Sequence, residues 1–185
     1  MVVYRHTSYY MKSIVIKGKH QKDKINKANN PNNPNIIATR DCMQNIPDKL
    51  FEIRNQIILI NKIYLDLNGN IEYKKECLRE IDRKISSYKT QDKNKNKYND
   101  NNITQEQVIE KLVSCKLKCY YCKCNMFIFY SKVRDLDQWT LDRIDNNLSH
   151  LDNNVIISCL RCNLQRRCQN KDKFLFTKQL KIIKE

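Results

Sequence analysis

The chain has 185 residues, 41% of them hydrophobic, and its 35 Lys+Arg against 20 Asp+Glu give a formal net charge of +15. That length leaves room for one domain of ordinary size, or a small domain with an accessory region, and excludes a large enzyme core. The charge points to a polyanionic partner, nucleic acid first, because each basic group near a phosphate gains from counterion release; a generally Asn- and Lys-rich composition is the plainer source of charge outside the cysteine-rich region.

Residues 1–45 open on a Val/Tyr-rich stretch, pass through Ile14-Val-Ile16 and end in an Asn- and Lys-rich run from Lys22 to Asn35. They read as a short strand or two followed by a loop. No basic stretch leading into an apolar one opens the chain, and the longest aliphatic run is Ile57-Ile-Leu-Ile60. The expectation is a protein without secretory leader or membrane span, in an intracellular, reducing compartment such as cytoplasm or nucleus. From Ile46 onward, Leu50, Ile53, Ile57, Ile60, Tyr64 and Leu67 follow at intervals of three and four, with Pro47 in the first turn, which predicts a helix with a coiled-coil seam. Asn68-Gly69-Asn70 supplies stop-and-turn residues, and Ile71, Leu78, Ile81, Ile85 and Tyr88 predict a second helix. Residues 46–90 thus read as a helical hairpin, a packing accessory in the plainer view and a homodimer seam in the other. Residues 91–102 are almost wholly polar and predict a flexible linker. Beyond them Thr104 as cap, Gln107 at the reciprocal position and Ile103 stapling onto Val108 announce a new helix and a domain over residues 103–185.

That domain holds two Cys-x-x-Cys pairs, Cys119/Cys122 and Cys159/Cys162. In a reducing compartment such pairs hold metal more readily than they form disulfides, and four thiolates suit the tetrahedral preference of Zn²⁺. Cys42, Cys77, Cys115, Cys124 and Cys168 read as small buried hydrophobes, although Cys124 is near enough in sequence to compete with Cys122 as a ligand. Between the pairs come the β-prone run Met126-Phe-Ile-Phe-Tyr130, a strand from Trp139 to Asp145, a turn over residues 146–153 and a second strand at Val155-Ile-Ile157. Cys159-Leu-Arg-Cys162-Asn163 then opens a helix. The fold class is α+β: strand, loop, strand and helix, with the cysteine knuckles pinning the two ends. Asp142 between the knuckles and Asn163 beside the last cysteine suggest a second, harder metal.

With those elements in that order, the stretch from Ile103 onward resembles the HNH endonuclease family of the ββα-metal superfold. The likeness is carried by the capped helix before Lys118-Cys-Tyr-Tyr-Cys122, then Leu141-Asp-Arg-Ile-Asp145, Asp152-Asn-Asn-Val155 and Cys159-x-x-Cys162-Asn163, a little under half the chain. The resemblance implies a C-terminal ββα-metal (HNH-like) domain with a four-cysteine zinc site. It further implies that Asp142 and Asn163 hold one Mg²⁺ or Mn²⁺ at a scissile phosphate, and that Asn154 ties the hairpin loop through backbone hydrogen bonds. In the family the residue after the aspartate is a histidine that deprotonates the attacking water. Arg143 stands there instead, and a guanidinium can bind phosphate but cannot accept a proton. The base is then His150, swinging in from the hairpin loop, or Asp145, two positions past Arg143, or it is absent. The plainer readings are an exposed loop histidine and a turn-initiating aspartate. The family's glycine pair is missing too, leaving Asn146, Asn147 and Asn153 to take up unusual turn dihedrals.

Arg166 and Arg167 lie three and four residues beyond Asn163, on its helical face, and are expected to grip phosphates. Arg161 and Lys171 extend the basic surface or are ordinary solvated charges. An amphipathic helix from Asn170, with Phe174, Leu175, Leu180 and Ile183 on its apolar face, is expected to pack back on the domain. The chain therefore reads as a zinc-stabilised HNH-type nuclease acting on DNA, with RNA left open, at home by family analogy in a phage, mobile element or large virus. Two alternatives compete: a non-catalytic zinc module that binds nucleic acid and has lost the base, and a structural component of a nucleoprotein assembly. Geometry separates them, because hydrolysis requires the Asp142 carboxylate and the Asn163 amide to converge on one open point.

Overall fold

A computed structural model describes residues 40–65 and 70–180. The strands and loop expected within residues 1–39, the turn residues Asn68 and Gly69, and Ile183 lie outside the described residues. The chain divides into two compact units, Met1–Ala38 and Thr39–Glu185, and the second is the subject below.

Two short 3-10 turns, Asp41–Met43 and Asp48–Phe51, lead into helix α1, Ile53–Tyr64. The helix starts later than the periodicity predicts, because Glu52 is extended (φ −78°, ψ 132°) and breaks the run. Gln56 explains the break: its amide donates back to the Leu50 carbonyl (2.7 Å) and to the Phe129 carbonyl (3.1 Å), and its Oε1 accepts from the amides of Ile128 and Phe129. The β-prone run Met126–Tyr130 accordingly forms no strand. The Ile128 and Phe129 amides and the Phe129 carbonyl are satisfied by the Gln56 side chain, the Met126 and Phe127 amides by the carbonyls of Leu117 and Asp137, and only the isolated bridges Lys118 to Asn125 and Phe127 to Gln138 remain there.

Helix α2, Lys74–Asn94, runs on into the stretch expected to be a linker. Asp92, in its last turn, has no exposed surface. Helix α3, Gln105–Ser114, starts with the expected capping box: Thr104 accepts from the Gln107 amide and Gln107 accepts from the Thr104 amide. Strands β1, Trp139–Arg143, and β2, Val155–Cys159, pair antiparallel from Trp139 opposite Cys159 to Arg143 opposite Val155. Helix α4, Leu160–Arg166, follows directly, and α5, Lys171–Gln179, is capped by the Asn170 side chain. On α5 Phe174 is buried and Leu175 partly so, while Leu180 is exposed.

One continuous core joins these elements. Ile60 and Ile81 from the helical hairpin are buried with Leu112 of α3 and with Trp139 and Leu141 of β1. α1 packs on α3 as well as on α2, and α3 packs on β2. Among the described residues the expected accessory hairpin, linker and separate domain therefore share a single packed body. The reason is that α3 offers apolar surface on two sides, to the sheet and to the hairpin. No helix among the described residues is long and apolar enough to cross a membrane.

Candidate functional site

The knuckle before Cys119 is shaped by Lys116 and Leu117, both at φ 51°, and closed by Lys123 at φ 58°, whose amide donates to the Cys119 carbonyl. The second pair sits at the end of β2 and the start of α4, so the antiparallel register carries it toward the first. The Sγ atoms of Cys119, Cys122, Cys159 and Cys162 all lie within 4.8 Å of one another. A tetrahedral zinc with Zn–S of about 2.3 Å has S···S edges of about 3.8 Å; Cys122 and Cys159 are 3.8 Å apart. This donor set could hold a metal ion, and its chemistry suits zinc. A hydrogen bond from the Cys159 thiol, helped by backbone amides and opposed by burial, holds Cys119 down to about 4. Burial first, then neighbouring thiols, pushes Cys162 up to about 12. Cys124 comes within 3.2 Å of Cys122 but stays outside the mutually close four. Among the remaining cysteines only Cys77 is buried; Cys115 and Cys124 are partly buried, and Cys42 and Cys168 are exposed, contrary to the sequence expectation.

The proposed second metal pair is arranged differently from the expectation. Asp142 is buried, and both of its oxygens accept from the Arg166 guanidinium, Nε to Oδ2 and Nη2 to Oδ1, each at 2.7 Å. The Tyr121 hydroxyl adds a third bond at 2.8 Å. Burial, with the Asp142 charge, pushes the Tyr121 hydroxyl up, so it stays a donor. Arg166 is 1% exposed and also donates to the carbonyls of Gln169 (2.7 Å) and Arg143. It is therefore not a phosphate grip: its fork is spent on a buried carboxylate. The Asn163 amide nitrogen points to Thr140 Oγ1 (3.1 Å) and the Leu141 carbonyl (3.3 Å). Both Asp142 oxygens are thus taken by a protein cation, while the Asn163 amide nitrogen is spent on Thr140 and Leu141 of the same strand. The residues present do not fit a divalent ion.

Arg143, too, is turned inward. Its Nη1 donates to the Leu148 carbonyl (3.2 Å) and faces Asp92 Oδ1 (3.4 Å). His150 is buried rather than exposed on a loop, with Nδ1 at 2.8 Å from Asp92 Oδ2, its backbone amide on the same oxygen and its ring 4.5 Å from that of Tyr88. Burial, more than Asp92 can offset, lowers the His150 imidazole below its usual value. Asp92, supplied from the end of α2, has no sequence signal of its own, yet it organises the hairpin loop. Asn154 closes that loop: its amide donates to the carbonyls of Asp145 (3.0 Å) and Ser149 (2.9 Å), and its oxygen accepts from the Asp145 amide (2.9 Å). Asp145 initiates the turn by accepting from the Asn147 amide. Asn146, Asn147 and Asn153 do not take positive φ; among the described residues those values fall on other positions, Arg134 and Arg167 included. The tight turn is made by side-chain bonds instead.

Arg167, at φ 51° and exposed, has left the face of α4. Exposed Arg161 pairs with Asp137 (3.3 Å), and Lys171 sits beside Asp172 (3.6 Å) and 5.9 Å above the Tyr120 ring. These three keep access to solvent. No family model matches the sequence, and no curated protein or solved structure matches it either.

Proposed function

We propose that this chain is a zinc-stapled module that binds nucleic acid, built on the framework of the HNH endonucleases without their hydrolytic metal centre. The observation that carries this reading is the buried, bidentate Asp142–Arg166 pair, which satisfies with a protein cation the carboxylate a divalent ion would need. The net charge of +15 and the accessible Arg161, Arg167 and Lys171 support a polyanionic partner. DNA is the first candidate and RNA the second. The cysteine cluster supports zinc in a structural role, since all four positions are filled by protein and none is open for substrate.

A metal-dependent HNH-type endonuclease is the second reading. It is favoured by the order β1, β2, α4 after the first cysteine pair, with the second pair carried by β2 and α4, and by His150, whose Nδ1 is held by Asp92 and whose Nε2 is left as the proton-accepting atom. It requires Arg166 to leave Asp142. The test combines duplex binding over a range of salt with nicking of supercoiled DNA in Mg²⁺ and Mn²⁺, for wild type and for Asp142→Ala, Arg143→His and His150→Ala. Expected are binding that falls steeply with salt, survives Asp142→Ala and weakens in Arg167→Ala, with no metal-dependent nicking by wild type or Arg143→His. Nicking that disappears in Asp142→Ala would overturn the binding-module reading in favour of the nuclease.

A further inference from the structure

On the flank of α2, Arg40 and Arg83 both donate to one oxygen of Glu80, at 2.6 and 2.9 Å. One turn further on, Lys84 is buried, and its ammonium meets only the Trp139 carbonyl and the faces of Trp139 (4.7 Å to the ring centre) and Tyr130 (5.1 Å). Glu80, the nearby carboxylate, is already shared by two arginines. Asp135 is the other carboxylate that acts on Lys84. Exposed Arg134 lines the same region, so four basic side chains are served by two acids among the described residues. The Trp139 indole N–H is buried without an acceptor. Two adjoining cavities open here. One of about 250 Å³ reaches Lys84, Ser87, Gln91 and Thr140, and one of about 410 Å³ is bounded by Arg40 and Arg134; Arg83, Tyr130, Gln138 and Leu160 line both.

We infer that this cleft between α2 and the loop over residues 130–138 binds a phosphate group, with Arg83, Lys84 and Arg134 as its donors. Lys84 is buried without a carboxylate in hydrogen-bond contact, and Arg83, which lines both cavities, stands between it and Arg134, so an incoming dianion would supply the missing counter-charge through charge-assisted hydrogen bonds. The cleft's volume accommodates a phosphate with its neighbouring sugar or second phosphate. Ser87 and Gln91 add neutral donors at the rim. The phosphate belongs either to a nucleic-acid backbone or to a free phosphate compound; only the first source rests on the reading proposed above.

Calorimetric titration of the full-length, zinc-loaded chain with pyrophosphate tests the site, alongside binding of a labelled DNA duplex with and without pyrophosphate. Saturable pyrophosphate binding is expected, weakened about tenfold or more by Arg83→Ala, Arg134→Ala and Lys84→Met. The side chains of Arg83 and Arg134 reach solvent, so those two variants report even if Lys84→Met fails to fold. Parallel loss of duplex affinity, with displacement by pyrophosphate, assigns the phosphate to nucleic acid. Unchanged duplex affinity with weakened pyrophosphate binding assigns it to a free compound. Pyrophosphate binding without any duplex or RNA binding keeps the cleft and removes the nucleic-acid reading. No saturable pyrophosphate binding by wild type, or affinity unaltered in Arg83→Ala and Arg134→Ala, overturns the cleft while leaving that reading standing.

Discussion

At Asp142 two hydrogen bonds from one guanidinium satisfy a buried carboxylate. Breaking such a pair from one side leaves a buried charge alone, which costs about 3–5 kcal/mol, whereas replacing both partners by apolar residues of similar volume is often close to neutral. Arg166→Leu should therefore destabilise the fold by that amount, and Asp142→Leu combined with Arg166→Met should recover most of it. Urea midpoints compare the three, and equal loss in single and double variants would deny the pairing its role. His150 offers a pH test. Because burial lowers its imidazole in the folded state, the unfolded chain takes up the proton first as pH falls. Its contribution is complete above about pH 6.5 and drains away below, toward the folded value. Asp92 faces it, Arg143 reaches the same carboxylate, and the Tyr88 ring lies tilted against it. His150→Gln should flatten the decline in stability as pH falls below about 6.5; an unchanged slope would place the titration elsewhere.

Among the elements, α1 and α3 illustrate two kinds of helix start. α3 begins with a capping box that is local and legible, and Thr104→Ala should cost about 1 kcal/mol. α1 begins without a side-chain cap, positioned by Gln56 through contacts with residues 72 and 73 positions away. Removing that amide strands several buried backbone groups at about 1–3 kcal/mol each, so Gln56→Met should destabilise clearly more than Thr104→Ala. Thermal melts of both variants rank them, and a smaller effect at Gln56 would mean that water replaces the amide. The same accounting explains why Met126–Tyr130, apolar and β-prone, is not a strand: its backbone donors already have a partner.

For the whole molecule, the continuous core makes the cysteine staple a global element rather than a local one. Structural zinc in small domains contributes on the order of 10–16 kcal/mol of apparent binding free energy, and here that energy is linked to a core shared by α1, α2, α3 and the sheet. Chelation should therefore lower the stability of α1 and α2 together with the sheet, in one cooperative transition. Circular dichroism with limited proteolysis checks this, and a helical hairpin that survives chelation intact would restore the separate accessory region. Elemental analysis should find one zinc per chain, lost on Cys162→Ser.

Short-range regularities are what the sequence by itself determined. Apolar intervals of three and four placed the two hairpin helices, Thr104 and Gln107 placed the start of α3, and the spacing of the Cys-x-x-Cys pairs around the β1–β2 hairpin brought four sulfurs together. The first two are decided by residues close in the chain and the third by a repeated local spacing, so each leaves a pattern. Tertiary structure alone decided the charges. Asp92, in a polar run that reads as linker, is drawn inside because His150, 58 residues away, and Arg143 supply the donors that make its burial tolerable. Arg166, which helical spacing puts beside Asn163, is turned onto Asp142 because a carboxylate buried in β1 needs a counter-charge more than the surface needs another cation. Neutralising buried charge selects whichever partner the fold brings near, and sequence distance carries no record of that choice.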